Sequence, residues 1–178
     1  MPEHSAGILP YRSREGRLEV YLGHMGGPFW SRKDAAAWSI IKGAVEEGET
    51  PLQAAVREFA EETGLAELSA YHSPTDRTLS AHAVPDYVLL GEFRQPSGKR
   101  ITVFVAVIAD VPTEISGNTF DLEWPPRSGK VQSFPEIDTA GWFDLRTARV
   151  KLVRGQVQII DALERMRVGL PEYPADHA

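Results

Sequence analysis

The chain has 178 residues, 42% of them hydrophobic, a formal net charge of −6 and no cysteine, which together suit one domain over residues 1–178 with a full core in a reducing cytoplasm and exclude disulfides, zinc–thiolate sites and a thiol nucleophile. The negative charge argues against broad binding to nucleic acid or anionic membrane, so a polyanionic substrate has to find its cations locally. The N-terminus lacks a basic stretch followed by a long apolar run, and no later segment approaches the roughly 18 apolar residues of a membrane span, so no membrane partner is expected.

The runs "AGILPYR" and "LEVYLGHM" flank the polar turn "SREG" and predict a β-hairpin. "GGPFWSRKDAAAW" reads as a loop carrying Trp30, Arg32 and Lys33, followed by a short strand at "WSII". A helix is then strongly signalled. Thr50 is a good N-cap, Pro51 suits the first helical position, Gln53 completes a capping box, and Gly64 supplies the stop. On that helix Leu52, Ala55, Val56 and Phe59 form one apolar stripe, while Glu58, Glu61 and Glu62 share the opposite side.

The segment "AELSAYHSPTDRTLSAHAVPD" predicts a weak strand and then an irregular excursion at 70–86 with no readable role. "YVLLGEFR" and "RITVFVAVIAD" flank the turn residues "QPSGK" and predict a second hairpin, expected in the middle of the sheet. "VPTEISGNTFDLEWPPRSGKVQSFPEID" reads as one long loop, "AGWFDL" as a last strand, and "GQVQIIDALERM" as a closing helix with Val157, Ile160 and Leu163 inward. Strands, a mid-chain helix, a hairpin and a final helix make an α+β domain, a mixed sheet with helices on its faces.

The acidic face of the mid-chain helix poses an electrostatic problem. Residues three and four apart are surface neighbours, so Glu58 faces both Glu61 and Glu62, each pair costing about 0.2–0.5 kcal/mol. Carboxylates in the last turn also meet the negative pole of the helix dipole, at about 0.3–1 kcal/mol each when exposed. From the residues alone, two readings stand: a solvated acidic face, or a ligand set for a cation. Oxygen anions without cysteine, and with histidines only scattered, match a hard divalent cation, magnesium or manganese rather than zinc, and such an ion in turn suggests a phosphate-bearing substrate. Lys42, Arg32 and Lys33, just upstream, are candidate local cations.

From Gly43 to Leu65 the chain reads "GAVEEGETPLQAAVREFAEETGL", which resembles the signature box of the Nudix hydrolases: Gly, five residues, Glu, seven residues, then Arg-Glu-apolar-any-Glu-Glu-any-Gly-apolar. Every defined position matches, at Gly43, Glu49, Arg57, Glu58, Phe59, Glu61, Glu62, Gly64 and Leu65. The flanks "AGILPYR", "LEVYLGHM", "WSIIKG" and "FPEIDTAGWFDL" are similar in order and type to those of small bacterial nucleotide pyrophosphohydrolases. The resemblance implies a Nudix-type α/β/α sandwich with a mixed β-sheet and a loop-helix-loop catalytic motif. It implies hydrolysis of the diphosphate linkage of a nucleoside diphosphate derivative, with Mg2+ as cofactor and Mn2+ as substitute.

The same resemblance assigns metal binding to Glu58, Glu61 and Glu62, with the backbone carbonyl of Lys42 as a further ligand, and makes Glu49 with Arg57 a brace between loop and helix. Gly43 and Gly64 are read as backbone requirements. One more glutamate from a loop beyond the sheet is expected as ligand or general base, with Glu136 the first candidate and Glu123 the second. Trp30, Trp38 and Trp124 are candidates for stacking a nucleobase, against the commoner role of core aromatics. Lys42, Arg32, Arg127 and Lys130 are candidate phosphate contacts.

Where many relatives carry Pro and an acidic or histidine residue beside the box glycine, this chain has Ile41 and Ala44, which leaves open the choice among nucleoside triphosphates, dinucleoside polyphosphates, nucleotide sugars and RNA 5′ ends. The loops at 25–37, 70–86 and 112–137 that should decide carry no readable code. An isomerase variant of the same fold relies on a cysteine absent here, and a nucleotide-binding sensor without catalysis would normally show a damaged box. The family analogy allows a homodimer.

Overall fold

The computed structural model describes residues 4–65, 86–108, 111–115 and 117–166. The weak strand and all but the last residue of the excursion read at 70–86 fall outside them. The first hairpin is present as β1 (His4–Arg14) and β2 (Arg17–Met25). The strand read at "WSII" is two short pieces, β3 (Trp38–Ser39) and β4 (Ile41–Ala44), because Ser39 pairs with Gly23 of β2 whereas Ile41 pairs with Ile8 of β1. The mid-chain helix α1 runs Pro51–Thr63. Its capping box is formed on both sides, and Gly64 closes it in the left-handed region at φ 73, where any Cβ would be strained.

The second hairpin is β5 (Val88–Arg94) with β6 (Arg100–Val107). Only β6 lies inside the sheet. It runs parallel to β1 from His4 opposite Arg100 to Tyr11 opposite Val107, while β5 takes the outer position, a correction to the central placement expected for the pair. The long loop expected between 111 and 138 contains a separate two-stranded sheet, β7 (Thr119–Glu123) with β8 (Val131–Pro135). Its alternation is masked in sequence because its inward residues include Phe120 and Phe134 but its outward ones include Val131, which is exposed. Strand β9 (Ile137–Asp144) begins three residues earlier than "AGWFDL" suggested and pairs with β2.

Asp144 then caps a helix that sequence reasoning missed, α2 (Leu145–Lys151), by accepting from the N–H groups of Arg146 and Thr147. The closing helix α3 (Val157–Met166) follows a single 3-10 turn at Arg154–Gln156. It buries Ile159, Ile160 and Leu163, with Val157 packing against the same core at its rim.

Alternation along the strands sends side chains to two opposite cores. Leu9, Tyr11, Leu22, Ile40, Val103 and Val105 meet Ala148, Leu152, Ile159, Ile160 and Leu163 of the α2–α3 layer. Their sequence neighbours Ile8, Tyr21, Ile41 and Ala106 point the other way, onto Ala54, Ala55, Val56 and Phe59 of α1. The result is an α/β/α sandwich built on a mixed sheet. Phe59, fully buried and edge-on to Tyr21 at 6.4 Å, anchors α1 to it. Replacing Phe59 with Ala is therefore expected to cost about 3–5 kcal/mol in urea unfolding, with a lowered midpoint and an unchanged slope.

Candidate active site

The docking of α1 dictates which of its carboxylates see water. Glu61 keeps a side chain 43% exposed and Glu58 one of 14%. Glu62 is buried at 2%. That corrects the picture of three glutamates sharing one side opposite the core: Glu62 sits one residue before Thr63 and three after Phe59, both buried, and the chain at Gly117 closes over it. A Cβ at Gly117 would lie 2.1 Å from Glu62 Oε2, so the two are in contact as they stand.

Burial leaves Glu62 poorly satisfied. Its Oε1 accepts from the Asn118 N–H at 3.3 Å, but Oε2 has no hydrogen-bond partner. Desolvation, with the charge of Glu136 next in importance, pushes its carboxyl up to about 7. The Glu58 carboxyl is also raised, chiefly by desolvation, although Arg57 opposes the shift. It is packed so tightly on the β4 backbone that a Cβ at Gly43 would stand 1.8 Å from its carboxylate carbon; only glycine fits there. The Lys42–Gly43 peptide, source of the expected backbone ligand, thus lies against Glu58.

Arg57 organises the loop ahead of α1. Its Nε and Nη2 donate to Glu49 at 2.9 and 3.0 Å, Nη2 also to the Ala44 carbonyl at 3.0 Å, and Nη1 to Glu58 at 2.8 Å, with Glu61 Oε2 at 3.6 Å. Glu49 in turn accepts from the Glu46 N–H at 3.1 Å. The pair thus ties the loop to the helix.

Glu136 falls between β8 and β9, one residue before β9 begins at Ile137 and two before Asp138, where the β2–β9 register shifts between the Met25–Ile137 and His24–Thr139 pairs. Its N–H donates to the Asn118 carbonyl and its own carbonyl accepts from Gly26, both at 2.8 Å. Its exposed carboxylate is near enough to Glu58 and Glu62 to raise both. Glu123, by contrast, accepts from the Gly129 N–H at 2.7 Å within the β7–β8 hairpin and so has a local task.

The expected substrate contacts are not gathered at these carboxylates. Trp38 is 7% exposed, edge-on to Phe143 at 4.7 Å and to His24 at 5.2 Å, with Lys151 over its ring at 5.2 Å. Its ring serves the α2–α3 core, a correction to its reading as a base-stacking residue. Arg32 is exposed in the loop after β2, and Arg127 sits at the exposed β7–β8 turn with φ 64; no ion pair among the described residues joins either to the box. Trp30 is half-buried under Lys33, and Trp124 stands edge-on to exposed Phe29 at 5.3 Å.

The donor set suits a hard divalent cation in kind: carboxylate oxygens, one of them buried and unpartnered, next to a backbone carbonyl. As they stand the carboxylates are spread, and no three acidic or histidine side chains among the described residues converge on one point. Arg57 draws Glu58 aside and Asn118 holds Glu61 and Glu62. Sequence reasoning missed Gly117 and Asn118, since "SGN" in a stretch without periodicity looks like any turn.

Comparison with known proteins follows the same geometry. A family model described as NUDIX domain matches residues 1–163. A Caenorhabditis elegans Ap4A hydrolase in a binary complex superposes with a TM-score of 0.53 at 21% identity, over 94% of this chain and 99% of that one. The NUDIX domain of Shewanella oneidensis NrtR, complexed with ADP ribose, gives 0.55 at 14%, over 94% and 89%. The Escherichia coli dihydroneopterin triphosphate pyrophosphohydrolase gives 0.53 at 18%, over 90% and 95%. A search of curated protein sequences returns no match.

The burial of Glu62 has a pH signature. Its folded value of about 7 lies above its ordinary 4.5, so the native state holds this proton more tightly than the unfolded one, and the associated stability is lost as pH rises from about 4.5 through 7. In EDTA, Glu62→Gln should match the wild type near pH 4.5 and become the more stable by on the order of 1–3 kcal/mol at pH 8, read from urea midpoints. A difference that stays flat across this window refutes the assignment.

Proposed function

Because the chain belongs to the Nudix hydrolase family, whose domain model matches residues 1–163, we propose that it hydrolyses the diphosphate linkage of a nucleoside diphosphate derivative with the carboxylates at the end of α1 and Glu136 as its working groups. The observation that carries this reading is the concentration of Glu58, Glu62 and Glu136 within mutual electrostatic reach, beside an unpartnered buried oxygen of Glu62. Such a cluster is unfavourable unless a cation joins it.

Glu58, Glu61, Glu62 and the Lys42 carbonyl would hold that cation, Mg2+ or Mn2+. When bound, it supplies charge neutralisation for the phosphates and a lowered pKa for a coordinated water. Arg57 keeps Glu58 and the box loop in register. Glu136 accepts the proton of the attacking water. Its carboxylate is exposed, it receives no hydrogen bond from a described side chain, and its backbone is fixed at both N–H and carbonyl. The proteins of similar fold named for Ap4A, ADP ribose and dihydroneopterin triphosphate all concern phosphoanhydride compounds, which supports a nucleotide as substrate. A small-molecule nucleotide is the favoured partner, with an RNA 5′ end as the one nucleic-acid alternative. No described helix is long and apolar enough to cross a membrane, and the reading includes a single domain over 1–178 in the cytoplasm, alone or as a homodimer.

The test is turnover against nucleoside triphosphates, dinucleoside polyphosphates, nucleotide sugars and 5′-triphosphorylated RNA, with Mg2+, with Mn2+ and with EDTA. At least one should be cleaved at a phosphoanhydride, and EDTA should abolish the reaction. Glu61→Gln and Glu136→Gln should each lower kcat by about 10²–10⁴-fold. Binding of nucleotides without cleavage of any of them would overturn catalysis and favour a sensor.

A further inference from the structure

The segment Gly117–Asn118 touches Glu61, Glu62 and Glu136. Asn118 donates its backbone N–H to Glu62 Oε1 at 3.3 Å and its side-chain Nδ2 to Glu61 Oε2 at 3.4 Å. Its carbonyl accepts from the N–H of Glu136 at 2.8 Å. One residue, at the start of the β7–β8 hairpin and remote in sequence from α1, thus joins Glu61, Glu62 and Glu136. Gly117 completes the contact by lying against Glu62 where no side chain fits.

From this arrangement we infer that Asn118 is a positioning residue that sets the Glu61 and Glu62 carboxylates for a divalent cation and fixes Glu136 opposite them. The inference rests on the metal-binding role proposed above for the α1 glutamates. Its physical basis is the difference between the three bonds. The bond to Glu136 is of ordinary length and joins backbone to backbone, continuing the β7–β8 pairing one step beyond Thr119 and Pro135, so it fixes the position of Glu136. The two bonds to carboxylates are long, so they orient Glu61 and Glu62 while costing little to exchange for a cation. Neutral donors are needed for this. A Lys or Arg in place of Asn118 would compete with the cation for the same oxygens, whereas an amide leaves the negative charge of both carboxylates undiminished.

Because the Asn118 side chain is exposed, its removal leaves the core and both backbone bonds in place. The side chain of Asn118 reaches Glu61 and also Glu62, which gives the inference a specific test. Mn2+ binding is measured by isothermal titration on the whole chain, without substrate, for wild type, Asn118→Ala, Glu61→Gln and the double variant. Asn118→Ala should weaken Mn2+ by about 10-fold, as loss of a partner behind a metal ligand does, with Tm in EDTA unchanged. In the Glu61→Gln background the same substitution should weaken Mn2+ by only about three-fold or less, since of the two carboxylates its side chain reaches only Glu62 remains. Gly117→Ala, which drives a methyl into Glu62, should weaken Mn2+ on its own. Equal Mn2+ affinity in wild type and Asn118→Ala overturns the positioning role and leaves the metal site standing. Absence of Mn2+ binding by the wild type overturns both.

Discussion

The site depends on one guanidinium. Carboxylates at Glu58, Glu61 and Glu62 occupy the last two turns of a helix whose final turn has no basic residue, so like charges and the helix dipole act in the same unfavourable direction. Arg57 is bonded to this end of α1, and it is already committed to Glu49 by two parallel bonds that raise its pKa further above its ordinary value. Its Nη1 reaches Glu58, with Glu61 nearby. One positive charge shared among Glu49, Glu58 and Glu61 cannot neutralise them all, and Glu62, desolvated and beside the charge of Glu136, has its pKa raised. The loop is thus locked to the helix while the helix end stays short of positive charge.

That deficit is held in place by packing. Phe59 and the small residues Ala54 and Ala55 seat α1 close to the sheet, close enough for Glu62 to be drawn under Gly117 and for Glu58 to press on Gly43. A looser helix would let both carboxylates turn out to water, and their desolvation would vanish. Core and site are therefore one construction: the apolar stripe fixes a depth, and the depth fixes the electrostatics.

How much of this was legible in sequence varies with how local its cause is. The capping box at Thr50 and Gln53 and the stop at Gly64 are decided by a few neighbouring residues, and they stand in the structure as the sequence implied. The box from Gly43 to Leu65 likewise has its internal contacts, Arg57 to Glu49 among them. What escaped was long-range. A helical wheel puts Glu62 beside Glu58 and cannot know that a segment more than fifty residues later covers one of them. The β7–β8 hairpin was hidden by turn residues such as Pro125, Pro126 and Gly129, which cluster at its tip yet made the whole stretch look like loop. Trp38 looked available because the local sequence gives no sign that Phe143 and Lys151, more than a hundred residues later, will close over it.

The parallel pairing of β1 with β6 also bears on how the chain reaches this state. β1 lies between β2, which follows it at once, and β6, whose Arg100 stands opposite His4. A nascent chain can form the β1–β2 hairpin early, but the other edge of β1 stays open until Val107 has been synthesised. The principal partner strands of α1, β1 and β4, precede the helix in the chain, so Ile8 and Ile41 can be covered before β6 exists. The acidic end of α1 is different: Gly117, Asn118 and Glu136, which meet its carboxylates, all follow β6, so this part of the structure is completed last in chain order.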